Sequence, residues 1–141
     1  MITKQKIIYL LSVFSFMSVG WGCIDGVEVE LWGECYNIET TTELHLQNSG
    51  LTGEIPPEIG QLTNLTHLYL QNNQLTGEIP SEIGDLTNLD WLSLSDNQLT
   101  GEIPSEIGDL TNLDWLFLFN NELTGEIPVE ICSLEDCNFL Y

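Results

Sequence analysis

Apolar positions along the chain recur with a period far longer than that of a helix or a strand. Leu44, Leu68, Leu92 and Leu116 open four successive copies of one phrase at a spacing of 24 residues: LHLQNSGLTGEIPPEIGQLTNL, LYLQNNQLTGEIPSEIGDLTNL, LSLSDNQLTGEIPSEIGDLTNL and a fourth, decaying copy. A fixed period of this length makes each copy one structural unit stacked on the last, burying a ribbon of core between neighbours. Within a copy, the opening L-x-L sends two leucines to one side of a short strand and the residue between them to the other. Asn73, Asn97 and Asn121 follow, with Ser49 at the same place in the first copy. A buried Asn amide satisfies backbone groups orphaned where the strand bends away. Because Ser49 does less of this, the first copy is predicted to be the looser one.

The next segment, LTGEIP, places Leu and Ile in the core, puts Gly53, Gly77, Gly101 and Gly125 at a bend, and ends any extended run with proline. PEIG or SEIG then predicts a short helical turn with Glu at its start and Gly60, Gly84 or Gly108 as its cap. LTNL returns the chain to the next strand. One copy is thus a full coil of a solenoid.

The ends follow different rules. Residues 1–22 carry a charged start, MITKQK, an apolar run, IIYLLSVFSFMSV, and the small-residue segment before Cys23. That order reads as a secretory signal peptide cleaved after Gly20 or Gly22, the apolar run being short for a bilayer span of roughly 20 residues. An uncleaved N-terminal anchor and a lipid anchor through Cys23 are the alternatives. Residues 23–43 form an N-terminal cap, in which alternating Val27, Val29 and Leu31 predict a short strand over the open end of the first copy. The four repeats occupy 44–131. Residues 132–141 form a C-terminal cap, Cys132 standing where the earlier copies have glycine, and Phe139, Leu140 and Tyr141 beginning a fifth strand.

Four cysteines flank the array, Cys23 and Cys35 before it, Cys132 and Cys137 after it. Behind a signal peptide, an even count at these places reads as two local disulfides in an oxidising compartment. A shared metal site is excluded because the pairs sit at opposite ends of a rod. Charge narrows the partners further. The chain has 22 acidic and 2 basic residues, and Lys4 and Lys6 both precede Cys23, so cleavage would take the formal charge from −20 to −22. Such a surface repels nucleic-acid phosphates and anionic lipid heads. No nucleic acid and no membrane insertion of the mature chain are expected.

The unit LxLxxNxLTGxIPxxIGxLTNL resembles the plant-type leucine-rich repeat over residues 44–137. The resemblance implies an α/β repeat fold: a right-handed leucine-rich repeat solenoid with a concave parallel β-sheet, a second short strand near LTG, convex 3-10 or short helical turns, and disulfide caps. Cys23, Trp32, Gly33 and Cys35 are similar to the cysteine-paired cap preceding such repeats in receptor kinases and polygalacturonase-inhibiting proteins. The near-identical copies and missing basic residues look more like a secreted microbial protein from a saline habitat.

With this register, the outward strand positions fall into columns: Glu43, His67, Trp91, Trp115; His45, Tyr69, Ser93, Phe117; and Gln47, Gln71, Ser95, Phe119. Strands are about 4.8 Å apart, so column neighbours touch. Toward the C-terminal end the face turns aromatic, with Asp90, Asp96 and Asp114 beside it. An exposed aromatic patch of this size marks a binding site; cross-strand packing is its structural counterpart. His67, Tyr69, Asp90, Trp91, Asp114, Trp115, Phe117 and Phe119 are therefore the candidate ligand-binding residues, for a protein or peptide first and a glycan second, without catalysis, cofactor or metal. Sugar rings and cationic side chains both suit aromatic planes beside carboxylates. The rival is adsorption to mineral, ice or polymer through the Thr52, Thr76, Thr100 and Thr124 column or the acidic edge.

The acidic edge generates the first prediction. Glu54, Glu78, Glu102 and Glu126, and likewise Glu58, Glu82, Glu106 and Glu130, recur coil by coil, and like charges about 5 Å apart repel by roughly 0.8 kcal/mol per pair in water. NaCl should raise the thermal midpoint steadily by screening, with CaCl₂ no better than MgCl₂ at matched ionic strength. A midpoint indifferent to NaCl contradicts the stacked columns.

Overall fold

Two parallel sheets run through the repeats of the computed structural model, which describes residues 22–131 and the backbone of 138–140. Residues 1–21 of the expected signal peptide and the expected Cys132–Cys137 disulfide lie outside the described residues. Strands β1 (Glu28–Leu31) and β2 (Glu34–Asn37) form an antiparallel hairpin. Then β3 (Glu43–His45), β5 (His67–Tyr69), β7 (Trp91–Ser93), β9 (Trp115–Phe117) and β10 (Asn138–Leu140) pair side by side as one parallel sheet. A second sheet holds β4 (Thr52–Gly53), β6 (Gln74–Gly77) and β8 (Gln98–Leu99). Between them, Pro57–Gln61, Ser81–Asp85 and Ser105–Asp109 are 3-10 turns, each entered from an extended proline. The fifth strand expected near Phe139 is β10, which pairs Phe139 with Leu116.

The pairing in the larger sheet follows the repeat without slippage: Leu44, Leu68, Leu92 and Leu116 lie opposite one another. Behind them sits the core. Leu68, Leu92, Leu70, Leu94, Leu75 and Leu99 have no exposed surface, and Ile59, Ile83 and Ile107 close its far side. At the start of the array Leu46 and Leu51 are only partly buried, but so are Leu123 and Ile127 in the fourth copy, so partial burial does not single out the first copy, and Ser49 does not leave its bend unserved. Each Asn serves the coil before its own. Asn97 donates through Nδ2 to Leu70 O (3.0 Å) in the preceding coil and to Leu94 O (3.0 Å) in its own, and its Oδ1 accepts from Leu75 N (3.0 Å). Asn73 does the same for Leu46, Ser49 and Leu51, and Asn121 for Leu94 and Leu99. The first bend is therefore fully served from the second coil. What Ser49 lacks is the reach back towards the cap, its hydroxyl donating only to Gln47 O at 3.4 Å.

The glycines divide into two kinds. Gly77, Gly101 and Gly125 have φ between 76° and 80°, and the stem of the Glu one coil earlier lies where a side chain would go: Glu54 Cγ would be 2.8 Å from a Cβ at Gly77. The Glu columns thus lay their methylenes across the next coil's bend, an apolar contact beneath a solvated charge. Gly60, Gly84 and Gly108, expected as helix caps, are not caps. Gly60 and Gly84 lie inside the 3-10 turns, Leu62 and Leu86 follow as the capping residues, and none of the three has positive φ. They are glycines because the next coil leaves no room: a Cβ at Gly84 would stand 2.6 Å from Glu106 O.

The N-terminal cap is a hairpin, where a single strand was expected. Trp32 (φ 48°) and Gly33 (φ 85°) make the two-residue turn, both left-handed as a tight hairpin with right-twisted strands demands. Val29 and Leu31 are buried, but Val27 is exposed because it lies in the turn before β1. Leu31 belongs to the core, and Trp32 Nε1 donates to Glu54 O at 3.2 Å. Cys23 is bonded to Cys35, as expected. That bond uses the sulfur a lipid would need, which leaves the lipid-anchor alternative without support.

Two substitutions test this packing. Leu94→Ala should cost about 2–5 kcal/mol by leaving a cavity between coils. Gly84→Ala should cost about 1–3 kcal/mol by overpacking against backbone that cannot yield. A Gly84→Ala midpoint within about 2 °C of the parent would mean the coils are not this close.

Candidate functional site

The site is built by the strand that opens each coil. Its inward residues are the core leucines, so its outward residues must project from the opposite face of the sheet. The observed pairing sets Glu43, His67, Trp91 and Trp115 in one row, and His45, Tyr69, Ser93 and Phe117 in the next. Both columns are as read from the sequence.

The rings form one connected chain along the sheet. His45 stacks on Tyr69 with centroids 4.8 Å apart and planes 11° from parallel. Tyr69 lies 6.0 Å from His67 and 5.9 Å from Trp91. Trp91 meets Trp115 at 5.4 Å and Phe117 at 5.0 Å, while Trp115 and Phe117 are parallel within 5° at 6.0 Å. Phe119 completes the chain edge-on to Phe117 at 6.4 Å. Of the eight candidate residues, the six aromatic or imidazole ones are brought together. His45 belongs with them, and its signal was its place in the second column.

Mutual cover changes the picture of a fully exposed patch. Tyr69, Trp91, Phe117 and Phe119 are half-buried, and Ser93 and Ser95 are buried beneath them. Trp115 is the exposed aromatic of the described residues, at 38 %. Cross-strand packing and an accessible surface therefore coexist, with the small Ser93 making room where Trp91 and Phe117 cross. The cover also has a cost: the indole Nε1 of Trp91 and Oε1 of Gln47 and Gln71 are buried without a partner among the described residues.

The carboxylates have separate positions. Asp90 and Asp114 stack in register beside the first column, Asp114 N donating to Asp90 O at 2.9 Å and Asp90 N to Thr66 O at 2.8 Å. Asp96 serves the bend. It has φ 55° and accepts from Asn120 Nδ2 at 2.7 Å. Asn48, Asn72 and Asn120 share that left-handed conformation, which short polar side chains tolerate best. The Asn or Asp at this place in every copy was a signal the sequence reading passed over.

Glu43 bonds His45 Nε2 at 2.9 Å. Burial, and then the charges of Glu43 and Asp90, push the Tyr69 phenol above its ordinary value of 10.0. No group of three or more His, Cys, Asp or Glu among the described residues could hold a metal ion, and none of their helices is long and apolar enough to cross a membrane. A concavity lies elsewhere: an open trough along the Glu-Ile-Pro segments, lined by Glu54, Glu78, Glu102, Ile103, Pro104 and Val129 among others, shares no residue with the aromatic chain. The Thr column borders it. Its members are staggered, Thr52 pairing with Gln74 and Thr76 with Gln98, so they do not face each other across the strands.

Two family models match the chain, both described as leucine-rich repeat, at residues 39–99 and 112–134. Together they take in more than half of it. Among solved structures, the plant peptide hormone receptor RGFR1 in complex with RGF2 is 49 % identical over 70 % of this chain and 16 % of that one, with TM-score 0.68. The BIR2 ectodomain from Arabidopsis thaliana is 38 % identical over 67 % and 50 %, TM-score 0.64. A plant ice-binding protein is 42 % identical over 66 % and 30 %, TM-score 0.60. The chain spans half or less of the length of each of these. No curated protein sequence matches it. The chain belongs to the leucine-rich repeat proteins, and its repeats are of the plant type.

The raised Tyr69 phenol gives a pH prediction. Because the folded state favours the protonated phenol, its contribution to stability is fully present below pH 10.0 and is lost as pH rises through the raised value. Absorbance titration near 295 nm should show the phenols of Tyr36 and Tyr69 ionising later than free tyrosine, and Tyr69→Phe should take its share of the change from that late component. A late component left undiminished in Tyr69→Phe, with the loss falling at the ordinary tyrosine range, contradicts the placement.

Proposed function

We propose that this protein is an exported, non-catalytic binding module that takes a protein or peptide ligand on the aromatic face of its larger sheet. The observation that carries the reading is the unbroken chain of rings from His45 to Phe119 with Trp115 exposed at its C-terminal part. Rigid aromatic side chains offer large contact area at small entropic cost, which is why they dominate binding hot spots. The similarity to plant receptor structures, one of them described as a plant peptide hormone receptor in complex with RGF2, supports peptide recognition. A cleaved leader over 1–22, a right-handed concave solenoid, a Cys132–Cys137 bond and a microbial source in a saline habitat complete the reading. They rest on the charged start and apolar run, the repeat type, the cysteine positions, and the absence of Lys and Arg after Lys6. Glycan recognition by the same rings is an outcome that the experiment below separates.

A second reading has its own observation. Thr52, Thr76 and Thr124 are exposed at the same place in their coils, and the chain is similar to a plant ice-binding protein, which supports adsorption to ice through the Thr column. The stagger of that column counts against a flat array of facing hydroxyls.

Peptide and glycan arrays probed with residues 23–141 decide between them. Trp115→Ala should weaken peptide binding about tenfold or more, while Thr76→Val leaves it unchanged. Ice shaping by the parent that survives Trp115→Ala and disappears in Thr76→Val would replace the binding reading with adsorption.

A further inference from the structure

We infer that the aromatic face selects a cationic ligand, an arginine-bearing peptide, whose guanidinium lies on the exposed ring of Trp115 beside the carboxylates of Asp114 and Asp90. The inference rests on the peptide-binding reading and adds the chemistry of the contact. Three observations lead to it. Trp115 is more exposed than Tyr69, Trp91, Phe117 or Phe119, which are half-buried, and it is braced by Trp91 at 5.4 Å and Phe117 at 6.0 Å, so a ligand meets a fixed ring. Asp114 precedes Trp115, is exposed, and is bonded through its backbone to Asp90 one coil back, which sets the two carboxyl-bearing residues in a row along the edge of the rings. No Lys or Arg occurs after Lys6, so the face has no permanent cation to pair with a carboxylate, phosphate or sulfate.

The ring faces and the carboxylates act in the same direction. An indole face carries the negative part of the ring quadrupole and attracts a cation held within about 6 Å of its centre. Arginine fits better than lysine because its planar group stacks on the ring while its edge still donates to a carboxylate. The rings are too close together to admit a cation between them, so the contact is made on the outer face of Trp115. Asp90 acts on the ring next along the sheet: burial first, and then the charges of Glu43 and Asp90, each one coil away, raise the Tyr69 phenol. The two imidazoles do not reverse this sign, since His45 is paired with Glu43 and His67 lies two strands from Trp115.

The test uses residues 23–141 and four short capped glycine-serine peptides that differ only in carrying arginine, lysine, citrulline or glutamate, followed by tryptophan fluorescence and calorimetry at fixed ionic strength. The arginine peptide should bind best, lysine less well, and citrulline and glutamate at least about tenfold more weakly. Trp115→Ala and, independently, Asp114→Asn should each weaken the arginine peptide about three- to tenfold, with thermal melts confirming that both variants fold. Glu102→Gln, in the trough away from the rings, should change nothing. An arginine preference that persists undiminished in both face variants overturns the inference, because the cation then sits on the Glu columns. Equal binding of citrulline and arginine peptides, still lost in Trp115→Ala, also overturns it but leaves peptide recognition at this face standing. No Trp115-dependent binding of any of the four overturns it as well, and the array then judges the broader reading separately.

Discussion

Every coil of this protein turns corners at places where backbone groups would be buried without partners, and that constraint orders the rest of the structure. A buried unpaired amide or carbonyl costs about 1–3 kcal/mol, and a solenoid repeats the problem with each coil. The side-chain amide of Asn97 answers it for two coils at once, joining Leu70 O, Leu94 O and Leu75 N. Because the same amide spans the gap between neighbours, it also fixes their register. Were Leu92 to slip by one residue against Leu68, every leucine would face water and Asn97 would lose its three partners together.

Close stacking then dictates the glycines, for two different reasons. At Gly77 the backbone is left-handed and the stem of Glu54 lies over it. At Gly84 the conformation is ordinary, and the carbonyl of Glu106 occupies the space. The recurring TGE triplet thus becomes intelligible: the carboxylate stays in water while its methylenes cover the bend of the next coil. An acidic column that looks purely repulsive in sequence is partly a packing device, which is how a chain with a net charge of −20 keeps its coils in contact.

The repeat period made the coil, the core leucines and the outward columns legible from the sequence, because period and alternation are geometric facts that tertiary context does not override. The roles of individual polar and small residues were less legible. Gly84 read as a helix cap since a cap is the local explanation for glycine after a helical turn, whereas the actual reason is a contact between residues 22 apart. Ser49 was assigned a defect in its own bend, although the partner for that bend comes from Asn73. The hairpin through Trp32 and Gly33 was hidden because its second strand, Glu34–Asn37, has no clean alternation of buried and exposed residues. At the candidate site, the columns gave the right rings but not their burial. Which ring stays accessible depends on how Trp91, Phe117 and Trp115 lean on one another, and that is settled by packing.

The functional reading depends on these rings meeting across successive coils, since a scattered set of aromatics would offer no common surface. Two-dimensional NMR on residues 23–141 tests this most directly. With centroids 5.4 Å apart for Trp91 and Trp115, and 5.9 Å for Tyr69 and Trp91, the account predicts strong nuclear Overhauser contacts between the indole protons of Trp91 and Trp115 and between Trp91 and the Tyr69 ring. Indole and phenol protons that show contacts only within their own coils, with none across from Trp91 to Trp115 or Tyr69, would contradict it.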